Sequence, residues 1–448
     1  MRIDLRDAIG NRENILIHGP GGTGKTYDIR ELYSLYIHSR KISVCAPTGK
    51  AAVELSASTG PSNVNISSDG MQAETINRLF KIPPFTRDSR TTEEELQRRI
   101  ELVTNKRRPF IRTMDMLIID EISMVGEYLF RCMDAILKKE KGNTLPMGGV
   151  QVIMSGDFYQ LPPVKDKWCF QTKIWDDLNI TVLNYTEPKR YDSGGTFELL
   201  KRLRKMQLTD EDMQVIEACK KNYIGKKYLD HIITPILLYP NKSHVAQHNM
   251  RKLKQLQTLE HTFVATDKVE YHVKGIHMYD DTNVNGKFKS IEGEYEDRIR
   301  TILDEIMPET LRIKVGAKVI FCRNYEPSCN LVNGMMGIIE DIDDDNIDVK
   351  IEDGSVHKIF RAEFASAHRE FTCYRTQFPI RLAWAITIHK SQGMTISAAV
   401  VNLDNVFAPG QAYVALSRVR NIDNVYIMGR SLKFTNIPCS NDIPEELM

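Results

Sequence analysis

A glycine-rich segment near the start of the chain has the residue types and spacing that bind phosphate. Gly19-Pro-Gly-Gly-Thr-Gly-Lys25-Thr26 matches the pattern G-x-x-x-x-G-K-[ST]. The glycines let the backbone curl so that its N–H groups, with the N-terminus of a following helix, converge on a phosphate. Because the lysine reaches the β- and γ-phosphates and the threonine helps to hold Mg²⁺, we predict a site for ATP and Mg²⁺. The predicted ATP-binding residues of this loop are Gly19, Gly21, Gly22, Thr23, Gly24, Lys25 and Thr26.

Two carboxylates end an apolar run farther along the chain. In Leu117-Ile-Ile-Asp120-Glu121 an apolar strand would finish in two acids. In a P-loop ATPase the acid at the strand end holds Mg²⁺, and the next acid can take a proton from the attacking water. A strand that ends in a solvated acidic turn is the alternative, but the phosphate-binding loop upstream favours catalysis. We therefore assign the metal to Thr26 and Asp120 and the catalytic base to Glu121.

Three other polar side chains could act on the γ-phosphate. Gln160, in Ser155-Gly-Asp-Phe-Tyr-Gln160, has an amide that can orient a water or contact phosphate, although a strand-to-turn transition explains this segment equally well. Arg418 lies in Gln411–Arg420, which predicts a helix with two arginines. An arginine delivered to the γ-phosphate from a second domain is worth ~10³–10⁵ in rate. The alternative for a helix arginine such as Arg418 is a solvated side chain, and Arg190 is a second candidate.

Two segments could contact nucleic acid. Ala46-Pro-Thr48-Gly-Lys50 follows a predicted strand, and its hydroxyl, amine and helical amides suit a phosphate backbone, or they only cap a helix. Near the end of the chain, Trp384–Thr395 places many polar side chains in a turn between apolar runs, which favours an interaction loop over core. Trp384 itself fits a core position better than a base-stacking one.

Composition limits the function classes. The 448 residues allow two to four domains, and 42% hydrophobic with 27% charged content is ordinary for a globular protein. Because the net charge is +1, a nucleic-acid site must be a local groove and not a globally basic surface. We find no apolar run of the ~18 residues that span a bilayer and no secretory signal. The eight cysteines have no C-x-x-C spacing, so we expect reduced thiols in an intracellular compartment.

Strands that alternate with helices must position these residues. Up to residue 190, apolar runs predict strands at Ile15–Ile17, Ile42–Ala46, Met116–Ile119, Val150–Ser155 and Ile180–Leu183. Strands separated by helices indicate a parallel sheet covered on both faces. The segment Phe85–Ile111 breaks this alternation with a capped amphipathic helix from Thr91 to Val103, so we predict a small inserted subdomain there.

A second alternating region predicts a second α/β domain, from the runs Pro235–Tyr239, Ala399–Leu403 and Asn424–Met428. The intervening segment Leu311–Cys373 holds short β-like runs and turn signals, which are typical of a small β-barrel. Within it, the acidic run Asp341–Asp345 fits a solvated hairpin tip. The polar segment Val269–Ile306 has no clear pattern.

Taken in order, these segments resemble the motif set of superfamily 1B helicases of the Pif1-like group, which has relatives among RecD- and Dda-type enzymes. The matching tracts are GPGGTGKT, APTGKAA, LIIDEISM, GDFYQLPPV, WAITIHKSQGMT and YVALSRVR. They cover almost the whole chain. HKSQG followed by ALSRVR is highly specific to this group, whereas the phosphate-binding loop alone is not.

The resemblance implies an α/β fold of two RecA-like domains with ATP in the cleft between them. Residues 1–190 would be domain 1A, with an inserted subdomain at about 85–111, and residues 191–448 would be domain 2A, with an SH3-like β-barrel at about 311–373. Gln160, Arg190 and Arg418 would contact the γ-phosphate, with Gly393 nearby. The implied single-strand contacts are Thr48, Lys50, Thr75, Asn77, Thr387, His389 and Lys390.

From the resemblance we expect an ATP-dependent 5′-to-3′ DNA helicase or translocase acting on single-stranded DNA and single-strand/duplex junctions. We expect a monomer with replication or repair proteins as partners and no membrane. It would work in the cytoplasm or nucleus, or in the host cell of a large DNA virus. An RNA-directed helicase, a translocase that strips proteins without unwinding, and an ATP-switched nucleic-acid-binding protein remain alternatives.

Three positions depart from the Pif1-like pattern. Members of the group usually carry an adenine-selecting glutamine upstream of the phosphate-binding loop, whereas the first glutamine here is Gln72, so we expect tolerance of several nucleoside triphosphates. The Thr-Ile-His motif of the group is Thr75-Ile-Asn77, and an uncharged asparagine predicts a weaker phosphate contact. Tyr191 stands where a glutamine commonly follows the arginine.

Overall fold

The computed structural model describes the chain outside residues 57–70, 72, 84, 86–90, 106–107, 192–193, 232–233, 274–275, 282–293, 324–330, 332–334, 352, 368–370, 405, 430–442 and 445–448. The chain forms two compact units. The first combines residues 1–228 with residues 388–448, and the second is residues 229–387. The division into domains at residue 190 stays a prediction.

Helices and strands alternate through the first 228 residues. The strands are β1 (Asn14–His18), β2 (Ile42–Ala46), β3 (Ala73–Thr75), β4 (Met116–Ile119), β5 (Gln151–Gly156) and β6 (Ile180–Asn184). The helices are α1 (Ile3–Gly10), α2 (Lys25–Tyr36), α3 (Gly49–Ser56), α4 (Ile76–Leu79), α5 (Glu93–Thr104), α6 (Glu127–Lys141), α7 (Lys173–Asp177), α8 (Gly194–Arg204) and α9 (Asp210–Ile224). The five strands expected in this region are confirmed, each within a residue of its predicted ends.

These six strands form one sheet in the order β3-β2-β4-β5-β1-β6. Every described pairing in it is parallel, which confirms the expectation from the alternating pattern. Parallel strands run in one direction, so all their carboxyl ends meet at the same edge of the sheet. The segments that begin with Gly19, Pro47, Ile76, Asp120 and Asp157 therefore leave from that edge.

Both faces of this sheet are buried. Successive residues of a strand point to opposite faces, and Ile15 and Ile17 of β1 pack into the cluster with α1 and α2. Leu16 faces the other cluster, which contains residues of α5 and α6. Burial on both sides explains why the strands are continuously apolar in the sequence.

The inserted helix predicted near residue 91 is α5. The Thr92 hydroxyl accepts a hydrogen bond from the backbone N–H of Glu95 and caps its first turn. Leu96, Ile100 and Val103 are buried in the same cluster as α6. The predicted amphipathic face is therefore confirmed, and it fixes α5 against the first unit.

The second unit is mostly β-structure. Its elements are β7 (Ile236–Tyr239), α10 (Lys242–Gln255), β8 (Glu260–Val264), β9 (Thr266–Val273), β10 (Ile276–Asp281), α11 (Glu294–Ile306), β11 (Thr310–Lys314), β12 (Lys318–Phe321), β13 (Met336–Ile342), β14 (Asn346–Ile351), β15 (Val356–Phe360), β16 (Ala362–Ala367), β17 (Phe371–Gln377), β18 (Ile380–Leu382) and β19 (Ala385–Thr387). Two of its strands, β7 and β19, are parallel neighbours. Asn249 of α10 bonds to the backbone of Ala385 and Leu382, which ties the helix to that pair.

The β-like runs predicted between residues 311 and 373 form strands but divide among separate sheets. β15-β14-β13-β12-β18 is one antiparallel sheet and β10-β9-β17-β16 is another, while β11 pairs with β8. Among the described residues, β15 and β18 are the two edges of the first sheet, so closure into a barrel stays a prediction. The acidic run Asp341–Asp345 lies at the β13–β14 hairpin, as expected.

The last part of the first unit contains α12 (Ile388–Ser391), β20 (Ala399–Asn402), α13 (Gln411–Leu416) and β21 (Val425–Met428). β20 and β21 are parallel. The predicted helix through Arg420 is wrong at its end, because α13 stops at Leu416 and both arginines follow it. Across the described residues, we find no helix with the length and apolar character to cross a bilayer.

Candidate active site

The loop after β1 has the geometry of a phosphate cradle. The N–H of Gly19 bonds to the carbonyl of Gly156 at 3.3 Å, which fixes the start of the loop against β5. Gly22 and Gly24 have φ angles of +81° and +92°, a region that side chains other than glycine rarely adopt. The ammonium of Lys25 donates to the carbonyls of Gly19 and Pro20 at 2.6 and 2.8 Å. The loop therefore folds around its own lysine at the N-terminus of α2.

The two acids predicted for catalysis stand at the end of β4. The N–H of Asp120 bonds to the carbonyl of Cys45 on β2 at 3.0 Å, and its carboxylate accepts the N–H of Glu121 at 2.9 Å. Burial raises the pKa of Asp120, and the Lys25 ammonium opposes that rise. Glu121 has a left-handed backbone, with φ 52° and ψ 44°. Such strain in a residue other than glycine costs about 1–3 kcal/mol and is typical of functional sites.

A cavity of about 260 Å³ in the first unit brings all of the predicted catalytic residues together. Its lining is Gly21, Gly22, Gly24, Lys25, Thr26, Tyr27, Ala51, Asp120, Glu121, Gly156, Gln160, Lys189, Arg190, Gly393 and Arg418. These residues come from positions up to 397 apart in the chain (Gly21 to Arg418). Gly19 and Thr23 lie in the loop but outside this lining. The Thr23 hydroxyl donates to the carbonyl of Pro20 within the loop.

Two arginines meet in this cavity. Arg418 is 2% exposed, and its guanidinium donates to the Val414 carbonyl and the Ser417 hydroxyl at 2.8 and 2.7 Å. Burial lowers the pKa of Arg418, and the charge of Arg190 lowers it further. Within the described part of the chain, the buried Nη1 of Arg190 makes no hydrogen bond. Two clustered cations with an unused donor fit a polyanion such as a triphosphate.

The donor set also fits Mg²⁺. Thr26 and Asp120 both line the cavity and supply oxygen ligands, which a hard cation prefers. Glu121 is held differently, because the side-chain amide of Gln392 donates to its carboxylate at 3.2 Å. This hydrogen bond orients the Glu121 carboxylate.

A buried polar network next to the cavity was not predicted from the sequence. The guanidinium of Arg204 on α8 donates to the Asp157 carboxylate at 2.8 Å and contacts Nε2 of His18 at 3.2 Å. The Tyr413 hydroxyl donates to the same carboxylate at 3.1 Å. Asp157 and Tyr413 belong to motifs that the sequence singled out, whereas His18 and Arg204 carried no signal.

The residues predicted for nucleic acid are spread over several elements. Thr48 follows β2 and Thr75 ends the neighbouring strand β3, and each hydroxyl accepts a helix N–H at 3.2 Å. Asn77 donates to the carbonyl of Ile82 at 3.0 Å. The side chain of Lys50 lies outside what the structure describes.

The other candidates lie near the end of the chain. Thr387 ends β19 in the second unit, beside Tyr239 of β7, and is buried. In the first unit, the His389 ring stacks with Phe407 at 6.0 Å between ring centroids, and Lys390 is exposed. Their roles on a nucleic acid stay predictions.

This chain resembles known proteins in both sequence and structure. A family model described as an AAA domain matches residues 5–166. An ATP-dependent DNA helicase Pif1 from Campylobacter jejuni is 30% identical over 438 residues, which cover 93% of this chain and 88% of that protein. An ATP-dependent DNA helicase PIF1 from Xenopus laevis is 28% identical over 424 residues, covering 93% of this chain but only 59% of that relative. A crystal structure of Pif1 helicase from Bacteroides in complex with ADP-AlF3 and ssDNA matches with a TM-score of 0.61 at 25% identity, over 98% of this chain and 94% of that one.

Proposed function

This chain belongs to the Pif1 helicase family, and from that premise we propose that it is an ATP-dependent DNA helicase that moves 5′-to-3′ along single-stranded DNA. ATP and Mg²⁺ are its cofactors, and single-stranded DNA with single-strand/duplex junctions is its substrate. The two relatives named above are ATP-dependent DNA helicases. The chain spans 59% of the length of the Xenopus relative.

One observation supports the proposal most directly. A single cavity holds a phosphate-binding lysine, two acids and two arginines: Lys25, Asp120, Glu121, Arg190 and Arg418. A protein that only binds a nucleotide needs the loop and its lysine. A base and two cations aimed at the same space are parts that turnover requires. The cavity therefore favours hydrolysis over a binding switch.

The side chains divide the chemistry among them. Glu121 takes a proton from the attacking water, while the water oxygen bonds to the γ-phosphorus and the bond to the leaving ADP oxygen breaks. Gln160 orients that water, and Arg190 and Arg418 neutralise the charge that develops on the γ-phosphate. Lys25 holds the β- and γ-phosphates. Mg²⁺, held by Thr26 and Asp120, would neutralise the phosphate oxygens when bound.

We propose that hydrolysis is coupled to movement through the two halves of the chain. Cavity residues come from both sides of residue 190, since Lys25 and Asp120 precede it and Gly393 and Arg418 follow it. Domains 1A (1–190) and 2A (191–448) would close on ATP and reopen after hydrolysis. Thr48, Lys50, Thr75, Asn77, Thr387, His389 and Lys390 would grip the strand alternately.

Strand separation needs an element that meets the duplex. An average base-pair step costs about 1.4 kcal/mol to open. We assign the wedge to the insertion at 85–111, whose helix α5 is anchored on the first unit through a buried apolar face. Deleting this insertion should abolish unwinding while ATP-driven movement on single strands continues, and retained unwinding would contradict the assignment.

Unwinding of tailed duplexes tests the proposed substrate and direction. We expect ATP-dependent opening of a DNA duplex with a 5′ tail and none with a 3′ tail, with Lys25→Ala as the inactive control. Opening of the 3′-tailed duplex alone would overturn the direction. Activity on RNA-tailed duplexes alone would move the substrate to RNA. A single active chain per fork in a titration would support a monomer.

A further inference from the structure

Two tyrosine hydroxyls hold one residue of the phosphate-binding loop. The Tyr413 hydroxyl oxygen accepts the backbone N–H of Gly21 at 3.1 Å. The Tyr191 hydroxyl donates to the backbone carbonyl of Gly21 at 3.0 Å. Both polar groups of this residue are therefore bonded to side chains that lie 170 and 392 positions away in the chain.

The bond from Tyr413 has a defined direction. A phenol has one proton, and Tyr413 gives it to the carboxylate of Asp157 at 3.1 Å, so its oxygen faces Gly21 as an acceptor. Asp157 is fully buried, and its pKa is lowered chiefly by the charge of Arg204 against the effect of burial. An ionised Asp157 can only accept, which fixes the phenol in this orientation.

These contacts join the loop to a catalytic element. Tyr413 lies on α13, and Arg418 follows that helix with its Nε bonded to the carbonyl of Val414. A Cβ built on Gly21 would lie 3.5 Å from Nη2 of Arg418, so the two elements approach closely at this residue. The backbone of the loop also accepts the N–H groups of Lys189 and Arg190 at Gly22. The loop thus depends on two distant segments for its shape.

We propose that Tyr191 and Tyr413 are positioning residues that clamp Gly21 and so set the nucleotide affinity of the loop. This inference rests on the proposed function only in that the loop binds a nucleotide. The reason is geometric: phosphate is held by N–H groups of the loop, and those groups converge only while the backbone keeps its curl. Removing either hydroxyl frees a peptide group of Gly21 and lets the unbound loop sample other shapes. The cost is then paid on nucleotide binding and not in the chemical step.

Hydrogen exchange in the nucleotide-free protein tests the clamp without any activity. We expect Tyr413→Phe to speed exchange in the peptide containing Gly21 by about tenfold, because the N–H loses its acceptor. Tyr128→Phe is the matched control, since Tyr128 is also buried in the first unit, at 4% exposure against 3% for Tyr413. Exchange at Gly21 that is the same in wild type, Tyr413→Phe and Tyr191→Phe would overturn the proposal.

Nucleotide binding gives the second readout. With a fluorescent ADP as probe, we expect the Kd to rise about 3- to 10-fold in Tyr413→Phe and in Tyr191→Phe, the range of one lost hydrogen bond. The double variant should lose less than the product of the two, because both residues act on one peptide. In steady-state ATP hydrolysis, KM should rise more than kcat falls. A fall in kcat alone would contradict a positioning role.

These experiments distinguish a failure of the clamp proposal from a failure of the proposed helicase function. If the wild type binds the fluorescent ADP but hydrolyses no ATP, the helicase proposal fails while exchange and binding still decide the clamp. If Tyr413→Phe does not fold, Tyr191→Phe decides, since Tyr191 is only half-buried. Wild-type exchange and affinity in a folded Tyr191→Phe would then refute the proposal.

Discussion

His18 should make the stability of the first unit depend on pH. This histidine ends β1 directly before the phosphate-binding loop and is 1% exposed. Its Nε2 faces the guanidinium of Arg204 at 3.2 Å, and a guanidinium can only donate, so Nε2 must accept and the ring is neutral. Burial lowers the pKa of His18 from 6.5 to about 4, with Asp157 opposing the shift.

The sign and size of the effect follow from these two pKa values. Above pH 6.5 the ring is neutral in both states, and its contribution to stability is fully present. As the pH falls from 6.5 towards 4, this histidine binds a proton in the unfolded chain but stays neutral in the folded chain, so the free energy of unfolding falls. At about 1.4 kcal/mol for each pH unit in this window, the loss reaches about 2 kcal/mol at about pH 5.

The substitution His18→Gln tests this directly. Glutamine places an amide near the position of Nε2 but does not titrate, so the loss between about pH 7.5 and 5 should shrink by about 2 kcal/mol relative to wild type. Hydrogen exchange of the β1 amides measures the local opening free energy at each pH. His38→Gln is the control, since His38 is exposed in the same unit. An equal pH dependence in wild type and His18→Gln would refute the argument.

Three further substitutions follow from the same geometry. Arg418→Lys keeps a cation but loses the planar guanidinium, so ATP turnover should fall about 10³-fold while equilibrium nucleotide binding changes far less. An equal loss in turnover and in binding would contradict the assigned role. Gly22→Ala adds a Cβ at φ +81° that would lie 2.7 Å from Cβ of Arg190, so it should weaken nucleotide binding at least about tenfold. The control is Gly142→Ala, which has a similar φ of +68° but open space around the new Cβ and should keep wild-type affinity. Arg375→Met would leave the buried carboxylate of Asp267 in the second unit without its ion-pair partner. The free energy of unfolding measured in urea should therefore fall by about 3–5 kcal/mol, and an unchanged midpoint would be the contrary result.

The local part of the site could be predicted from the sequence. The curl of the loop, the helix start at Lys25 and the strand that ends just before Asp120 depend on neighbours in the chain, and the structure has them where the pattern indicated. The carboxyl edge of a parallel sheet then brings such loops together by topology alone. Periodicity and turn chemistry are sufficient for features of this kind.

The segment Val269–Ile306 shows where hydrophobic patterning fails. The structure forms β9, β10 and α11 across it. β9 begins at Thr266, just before this segment, and buries Asp267, whose carboxylate pairs with both Nε and Nη2 of Arg375 on β17 at 2.7 Å. A buried ion pair replaces an apolar pair here, so a search for alternating apolar residues finds too few of them.

Contacts between distant segments could not be predicted from the sequence for a different reason. His18 and Arg204 are 186 positions apart, and Gly21 and Tyr413 are 392 apart. Each of these residue types is common in proteins, and none of them by itself indicates a distant partner. Only the packed fold shows that Arg204 and Tyr413 share one carboxylate, Asp157, next to the phosphate-binding loop.

Steady-state ATP hydrolysis with and without single-stranded DNA tests the central claim most directly, with Glu121→Gln as the matched variant. The geometry predicts turnover that DNA stimulates in wild type and that falls at least about 10²-fold in Glu121→Gln, because the glutamine amide cannot take the water proton. Nucleotide binding by the variant should persist. Hydrolysis that DNA leaves unchanged, or that survives in Glu121→Gln, would contradict the account of a DNA-dependent motor.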